Sequence, residues 1–199
     1  MPINPAVFYK MNVVDSCSAW NILSSLLLWS RALQAACHFS CTQFVVYECI
    51  YKRRKNLTKG DEELQQRMRR ELRAQRIVLA HLELEDLQDV EILATRRNLS
   101  KGELSAIAFA RRTNQAVLTD DQKARKLAET ALPSNRVQTV PHMAGWLLYE
   151  GYVAESDFDH LIAEHEAFGR PLKPHFQAAR VLCLQAKLAA QFGGSAATS

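Results

Sequence analysis

Hydrophobic positions along this chain come in two kinds of block that alternate. Short β-branched runs end in acids or turn residues. Longer stretches carry apolar side chains three and four apart, the spacing of one helix face. Residues 12–14 (Asn-Val-Val) form a brief strand-like run ending at Asp15. Residues 17–28 then follow helical spacing with Ser16 or Ser18 as N-cap, and residues 31–37 continue it. A second strand is expected over residues 38–41, and Thr42 caps a helix beginning near Phe44. Residues 59–76 are a Glu/Gln/Arg-rich helix pattern, with residues 77–79 as its buried end. Residues 90–93 are a candidate strand, and residues 100–112 a strong helix on Leu104, Ile107 and Ala108. Residues 116–119 read as a strand running into Asp120-Asp121, residues 123–131 as a helix, and residues 137–140 as a fifth strand stopped by Pro141. Helices are expected over residues 142–149, 156–168 and 172–192, with Gly151 as a stop and Pro171 and Pro174 as breaks. The small, polar residues 193–199 predict a disordered tail.

Strands and helices that alternate in this way predict an α/β fold with a mostly parallel sheet and helices on both faces. The domain organisation expected is one α/β unit over residues 1–170 and a C-terminal helical extension over residues 171–199. At 199 residues and 48% hydrophobic, the chain has enough apolar surface for a core without covalent staples. Seven glycines and six prolines exclude a collagen-like or linker-dominated chain. Five cysteines do not form a disulfide framework, and Cys37-His38-(x)2-Cys41 lacks the second pair a structural zinc site needs, so buried thiols are expected. No basic stretch followed by an apolar core opens the chain, and residues 22–29 are too short to span a bilayer, so a cytoplasmic protein without membrane partners is expected.

The net charge of +4 conceals an uneven distribution. Residues 52–76 carry ten Lys or Arg against four acids, so this segment is +6 and the remainder −2. A basic segment beside an acidic body suits a polyanionic partner, although a solvated Arg-rich helix has the same pattern. Arg53, Arg54, Arg67, Arg69, Arg70, Arg111 and Arg112 are the candidate phosphate contacts. Such contacts position a backbone without reading sequence. Tyr47 and Tyr51 are candidate stacking residues for single-stranded bases, weighed against core packing.

The acids supply the candidate chemistry. Asp15 and Asp120-Asp121 end two strands, where open α/β sheets gather their functional groups. Capping the next helix is the competing role for Asp15. Glu48 shares a helical face with Phe44 and Val45, and also stands four residues before Lys52, a favourable ion-pair spacing. Glu103 lies in Ser100-Lys101-Gly102-Glu103, which fits a capping box. Converging carboxylates raise one another's pKa unless a cation compensates, and an all-oxygen set selects Mg²⁺ or Mn²⁺. No Gly-rich phosphate loop and no Ser-His-Asp or Cys-His arrangement is present.

The run Lys101-Gly102-Glu103-Leu104-Ser105-Ala106-Ile107-Ala108-Phe109-Ala110, then Val117-Leu118-Thr119-Asp120-Asp121 and Ala124-Arg125-Lys126-Leu127-Ala128, resembles the PIN-domain ribonucleases. The style is closest to the VapC-like toxins. That family places an Asp at the end of the first strand, a Glu on an early helix, a Gly-Glu opening a later helix and a Thr-x-Asp ending the next strand. Here these fall on Asp15, Glu48, Glu103 and Asp121, with Asp120 the alternative fourth acid. The resemblance implies a three-layer α/β/α sandwich and an endoribonuclease that hydrolyses RNA with metal-activated water. Asp15, Glu103 and Asp121 or Asp120 would hold Mg²⁺ or Mn²⁺, and Glu48 would complete the cluster. An antitoxin partner and a homodimer are also implied. The Arg-rich segment and the extension after Arg170 depart from a compact toxin. The alternative reading is a catalytically silent PIN-like module that binds RNA or protein.

Overall fold

The computed structural model describes residues 4–88 and 99–193. The candidate strand at residues 90–93 and the tail beyond residue 193 lie outside them. Among the described residues five strands form an all-parallel sheet: β1 (Met11–Val14), β2 (His38–Thr42), β3 (Ile77–Ala80), β4 (Ala116–Leu118) and β5 (Val137–Gln138). Their order is β3-β2-β1-β4-β5. The connection leaves β1 for β2 on one side, and β4 lies on the other side of β1, so the order reverses between β1 and β4. In open α/β sheets that reversal opens a crevice at the carboxyl ends of the two strands.

Residues 12–14 and 116–118 are buried throughout, which requires both faces of the sheet to be covered. The α/β/α arrangement expected from the sequence is therefore present. Helix α1 (Ser16–Ser24) follows β1 and α2 (Leu26–Gln34) follows it in turn. Helix α3 (Gln43–Val46) runs directly into a π-helical turn over Tyr47–Tyr51, and α4 (Lys59–Arg73) packs on α1 and β3. Helix α5 (Lys101–Arg112) lies against β1, β2 and β4, and α6 (Gln122–Ala131) packs beside it. Their core joins Leu104, Ile107, Leu127 and Ala128 to Val13 and Val117 of the two central strands.

Four local outcomes differ from the sequence reading. The helix over residues 17–28 is two helices, because Ser25 leaves helical φ/ψ and caps α2 by accepting the Leu28 N–H at 2.9 Å. Residues 77–79 belong to strand β3 rather than to the end of α4. Gln75, at φ +53, ends the helix in a left-handed turn, and the β-branched Ile77-Val78 then pair with β2. Pro141 does not merely stop β5; it sits in the first turn of α7 (Val140–Tyr149), where its missing N–H costs nothing. Pro174 likewise sits in the first turn of α9 (Lys173–Gly193).

The chain clusters into two compact units. One comprises Tyr9–Ser24 and Ala36–Val140 and contains the whole sheet. The other comprises Met1–Phe8, Ser25–Ala35 and Pro141–Ser199. Within this second unit α8 (Phe158–Ala167) packs on α2 and α9. Phe8 stacks on Trp146 with ring centroids 5.1 Å apart, and Phe176 meets His165 edge-on at 4.9 Å. The cysteines are free thiols, four of them buried and Cys17 exposed. Burial pushes Cys37, Cys41 and Cys49 up to about 12. Among the described residues no helix is long and apolar enough to cross a membrane.

Candidate active site at the carboxyl ends of β1 and β4

The register of β1 on β4 pairs Val14 with Leu118, so Asp15 and Thr119 leave the two strands side by side. The Asp15 N–H donates to the Leu118 carbonyl at 3.3 Å, and the Thr119 hydroxyl donates to Asp15 Oδ2. Asp15 Oδ1 accepts the Ser18 N–H at 2.7 Å. Asp15 itself is thus the cap of α1, and neither Ser16 nor Ser18 fills that role. Asp15 as a whole is 1% exposed. Burial raises its pKa to about 7, against the hydrogen bonds from Thr119 and Ser18, and the Asp120 charge adds to the rise.

Asp120 is tied down by two elements, α1 and the start of α7. Its Oδ2 accepts from Asn21 Nδ2 at 2.8 Å and from Ser18 Oγ at 3.3 Å, and its Oδ1 accepts the Val140 N–H at 3.0 Å. Burial also raises this pKa, opposed by those hydrogen bonds and by Arg125. Asp121 caps α6: its Oδ1 accepts the N–H groups of Lys123 at 2.8 Å and Ala124 at 2.9 Å. Among the described residues no hydrogen bond engages its second oxygen.

Glu103 stands at the start of α5 in the capping box its sequence predicts. Its Oε2 accepts the Ser100 N–H at 2.6 Å, and Ser100 Oγ accepts the Glu103 N–H at 3.2 Å. Capping and membership of the acid cluster are therefore not alternatives here. The Glu103 pKa is raised by burial first, then by the neighbouring charges of Asp121 and Glu48, while the Ser100 hydrogen bonds lower it.

Glu48 occupies the π turn, in which the Lys52 N–H reaches the Tyr47 carbonyl at 2.8 Å, five residues back. π turns of this kind frequently mark functional positions. The turn breaks the four-residue phase, and among the described residues no ion pair joins Glu48 to Lys52. The carboxylate instead bridges two helix N-termini. Its Oε1 accepts the Gly102 N–H at 3.0 Å, and its Oε2 accepts from Ser16 Oγ and from Ser100 Oγ at 3.4 Å. The electropositive start of α5 favours an anion there.

The structure thus gathers Asp15, Glu48, Glu103, Asp120 and Asp121 from four separate chain segments at the carboxyl ends of the inner strands β1 and β4 and the adjoining helix starts. All donors are carboxylate oxygens, as Mg²⁺ and Mn²⁺ prefer. The crowding of Glu103 by two like charges is the condition a cation relieves. The donor chemistry fits such an ion, although among the described residues no three His, Cys, Asp or Glu side chains form a chelating group.

The basic residues divide. Arg67 is 9% exposed, pairs with Glu63 and donates to the Leu23 carbonyl at 2.7 Å, so its guanidinium is engaged inside the fold. It cannot serve as the open phosphate contact expected of it without breaking that packing. Arg54 lies 4.2 Å from the Trp20 ring centroid and pairs with Asp61 at 3.1 Å. Arg70 pairs with buried Glu71 at 3.1 Å, and Arg112 with buried Asp86. Arg53 is exposed and Arg69 half-buried, and neither forms an ion pair among the described residues; Arg111 is exposed near the end of α5.

A sheet of this order with acids at its switch point defines an open α/β domain with a cleft at the strand ends. A family model described as a PIN domain matches residues 44–132. That segment is similar to PIN domains, the family whose motifs the sequence resembles. No curated protein and no solved structure matches the chain.

Proposed function

We propose that this protein is a Mg²⁺- or Mn²⁺-dependent endoribonuclease. The observation that carries the reading is geometric: the β1–β4 register sets Asp15 beside Thr119, and the Gly102 N–H ties Glu48 to the first turn of α5, which carries Glu103. PIN domains are nuclease-type domains, which supports the same class. Asp15, Glu103 and Asp121 would hold the ion, with Asp120 behind them. Bound there, the ion would supply Lewis acidity and neutralise charge on the scissile phosphodiester.

The chain's own groups have distinct parts in this scheme. Thr119 and the Ser18 N–H orient Asp15. Asn21, Ser18 and the Val140 N–H orient Asp120. Ser16, Ser100 and Gly102 fix Glu48, which places the first turn of α5 and hence Glu103. The exposed cations of residues 52–76 would meet the RNA backbone. The VapC-like style adds an antitoxin partner and a homodimer to the proposal.

Purified protein should cleave single-stranded RNA with Mn²⁺ and not with EDTA. Asp15→Ala and Glu103→Ala should abolish cleavage. Full activity in either variant would overturn the site. The second reading, a silent PIN-like binding module, draws on the internal hydrogen bonds that already engage Asp15 and Glu48. Calorimetric titration separates the two: RNA affinity without Mn²⁺ binding would favour the module.

A further inference from the structure

We propose that a recess beside Glu48 is a nucleobase subsite for a single strand of RNA, with Tyr47 as its stacking platform and Lys52 and Lys101 as its phosphate anchors. The identity of the strand rests on the ribonuclease reading above; the subsite itself rests on its own residues.

The recess has a volume of about 880 Å³ and is lined by Phe44, Tyr47, Glu48, Lys52, His81 and Lys101, among others. That volume lies within the range of about 300–1,000 Å³ in which small ligands are held. Tyr47 is 56% exposed, an aromatic ring left open on a wall of the recess rather than packed in the core. Phe44 is half-buried three residues earlier, and Lys101 Nζ stands 5.8 Å from its ring centroid. Lys52 and Lys101 are exposed, and among the described residues neither is in an ion pair. An open aromatic that shares a recess with two ammonium groups outside any ion pair matches one nucleotide: a π-face for the base and cations for its phosphates.

Two observations extend the match from a nucleotide to a strand. Glu48 lines the recess and also belongs to the acid cluster, so a base on Tyr47 lies next to the proposed scissile position. Lys52 opens the +6 segment, which gives the backbone a continuing path of positive charge. The strand must be single because a duplex hides both faces of each base in its stack.

The test uses the full chain in EDTA and a short single-stranded RNA carrying the fluorescent base 2-aminopurine, with a parallel cleavage assay in Mn²⁺. Wild type and Tyr47→Phe should quench the probe on binding. Tyr47→Ala should lose the quench and bind roughly ten-fold more weakly, the loss of one base–aromatic stack. Replacing both Lys52 and Lys101 by Gln should weaken binding and flatten its salt dependence. Unchanged quench and affinity in Tyr47→Ala would overturn the subsite, even where wild type cleaves RNA. Tyr47-dependent binding without cleavage would instead leave the subsite standing and remove the nuclease reading. Equal binding of the corresponding DNA strand would overturn the assignment to RNA.

Discussion

Gly102 and Glu48 approach too closely for a side chain to fit between them. The Gly102 N–H donates to Glu48 Oε1 at 3.0 Å, and a Cβ on Gly102 would strike the Glu48 carboxylate and lie 2.9 Å from Ser16 Oγ. Replacing glycine by alanine in a helix ordinarily stabilises by about 0.5–1 kcal/mol. Here Gly102→Ala should destabilise, by about 1–3 kcal/mol, because it overpacks a fixed contact. Urea unfolding measures it. Glu48→Ala in the same chain should remove part of the cost, and purely additive effects would contradict the contact.

Asp15 predicts a pH dependence with a definite sign. Its pKa is about 7 in the fold against an ordinary 3.8, so between those values the folded state holds more protons than the unfolded one. Protonation then favours folding. The contribution is complete below the unfolded value and is lost as pH rises through the folded one, at up to about 1.4 kcal/mol per pH unit. In EDTA, wild type should lose stability relative to Asp15→Asn as pH rises from acid to neutral. Parallel stability curves for the two proteins would contradict the buried carboxyl.

A divalent cation should reverse that loss. Mn²⁺ that binds the ionised acids raises stability by mass action, about 2.7 kcal/mol at a hundred-fold excess over Kd. The melting temperature of wild type should rise with Mn²⁺ at neutral pH, and the rise should shrink in Glu103→Gln and Asp121→Asn. A rise of equal size in both variants would place the ion elsewhere.

Two arginines from the same segment should behave oppositely. Arg67→Ala strips the Leu23 carbonyl and Glu63 of a buried partner, and should cost about 1–3 kcal/mol of stability. Arg53→Ala should leave stability within about 0.5 kcal/mol, as exposed substitutions do. It should instead flatten the plot of log affinity for single-stranded RNA against log salt, by about 0.7 for each phosphate that is no longer neutralised. Melting curves and salt titrations on the two variants check both halves.

Much of this is legible in residue order, and the gaps have physical causes. Asp15, Glu103 and Asp121 can be placed because strand ends and caps are local signals. The β1–β4 adjacency that brings them together is a long-range pairing that no local pattern encodes. The π turn is hidden because Phe44 to Tyr51 reads equally well at four-residue phase, and only the extra residue redirects Glu48 from Lys52 to Gly102. Strand β3 escapes a sequence reading because Ile77-Val78-Leu79 continues the apolar spacing of α4; the left-handed Gln75 that separates them has no strong signature. Arg67 resembles its neighbours in the charge run, and only tertiary packing tells an anchor from a solvated cation.

The division of the chain into units sets a limit on how the protein can be cut. The polypeptide passes between its two units four times, leaving at Phe8, Ser24, Ala35 and Val140. The segment that matches the family, residues 44–132, starts after β1 and β2 and stops before β5. Excised at those borders, it would keep the edge strand β3 and the inner strand β4 but lose β1 and β2, the two strands that lie between them, and Asp15 with them. Genetic dissection by family boundaries would therefore yield a fragment with no sheet to close, and a lack of activity in it would say nothing about the intact chain.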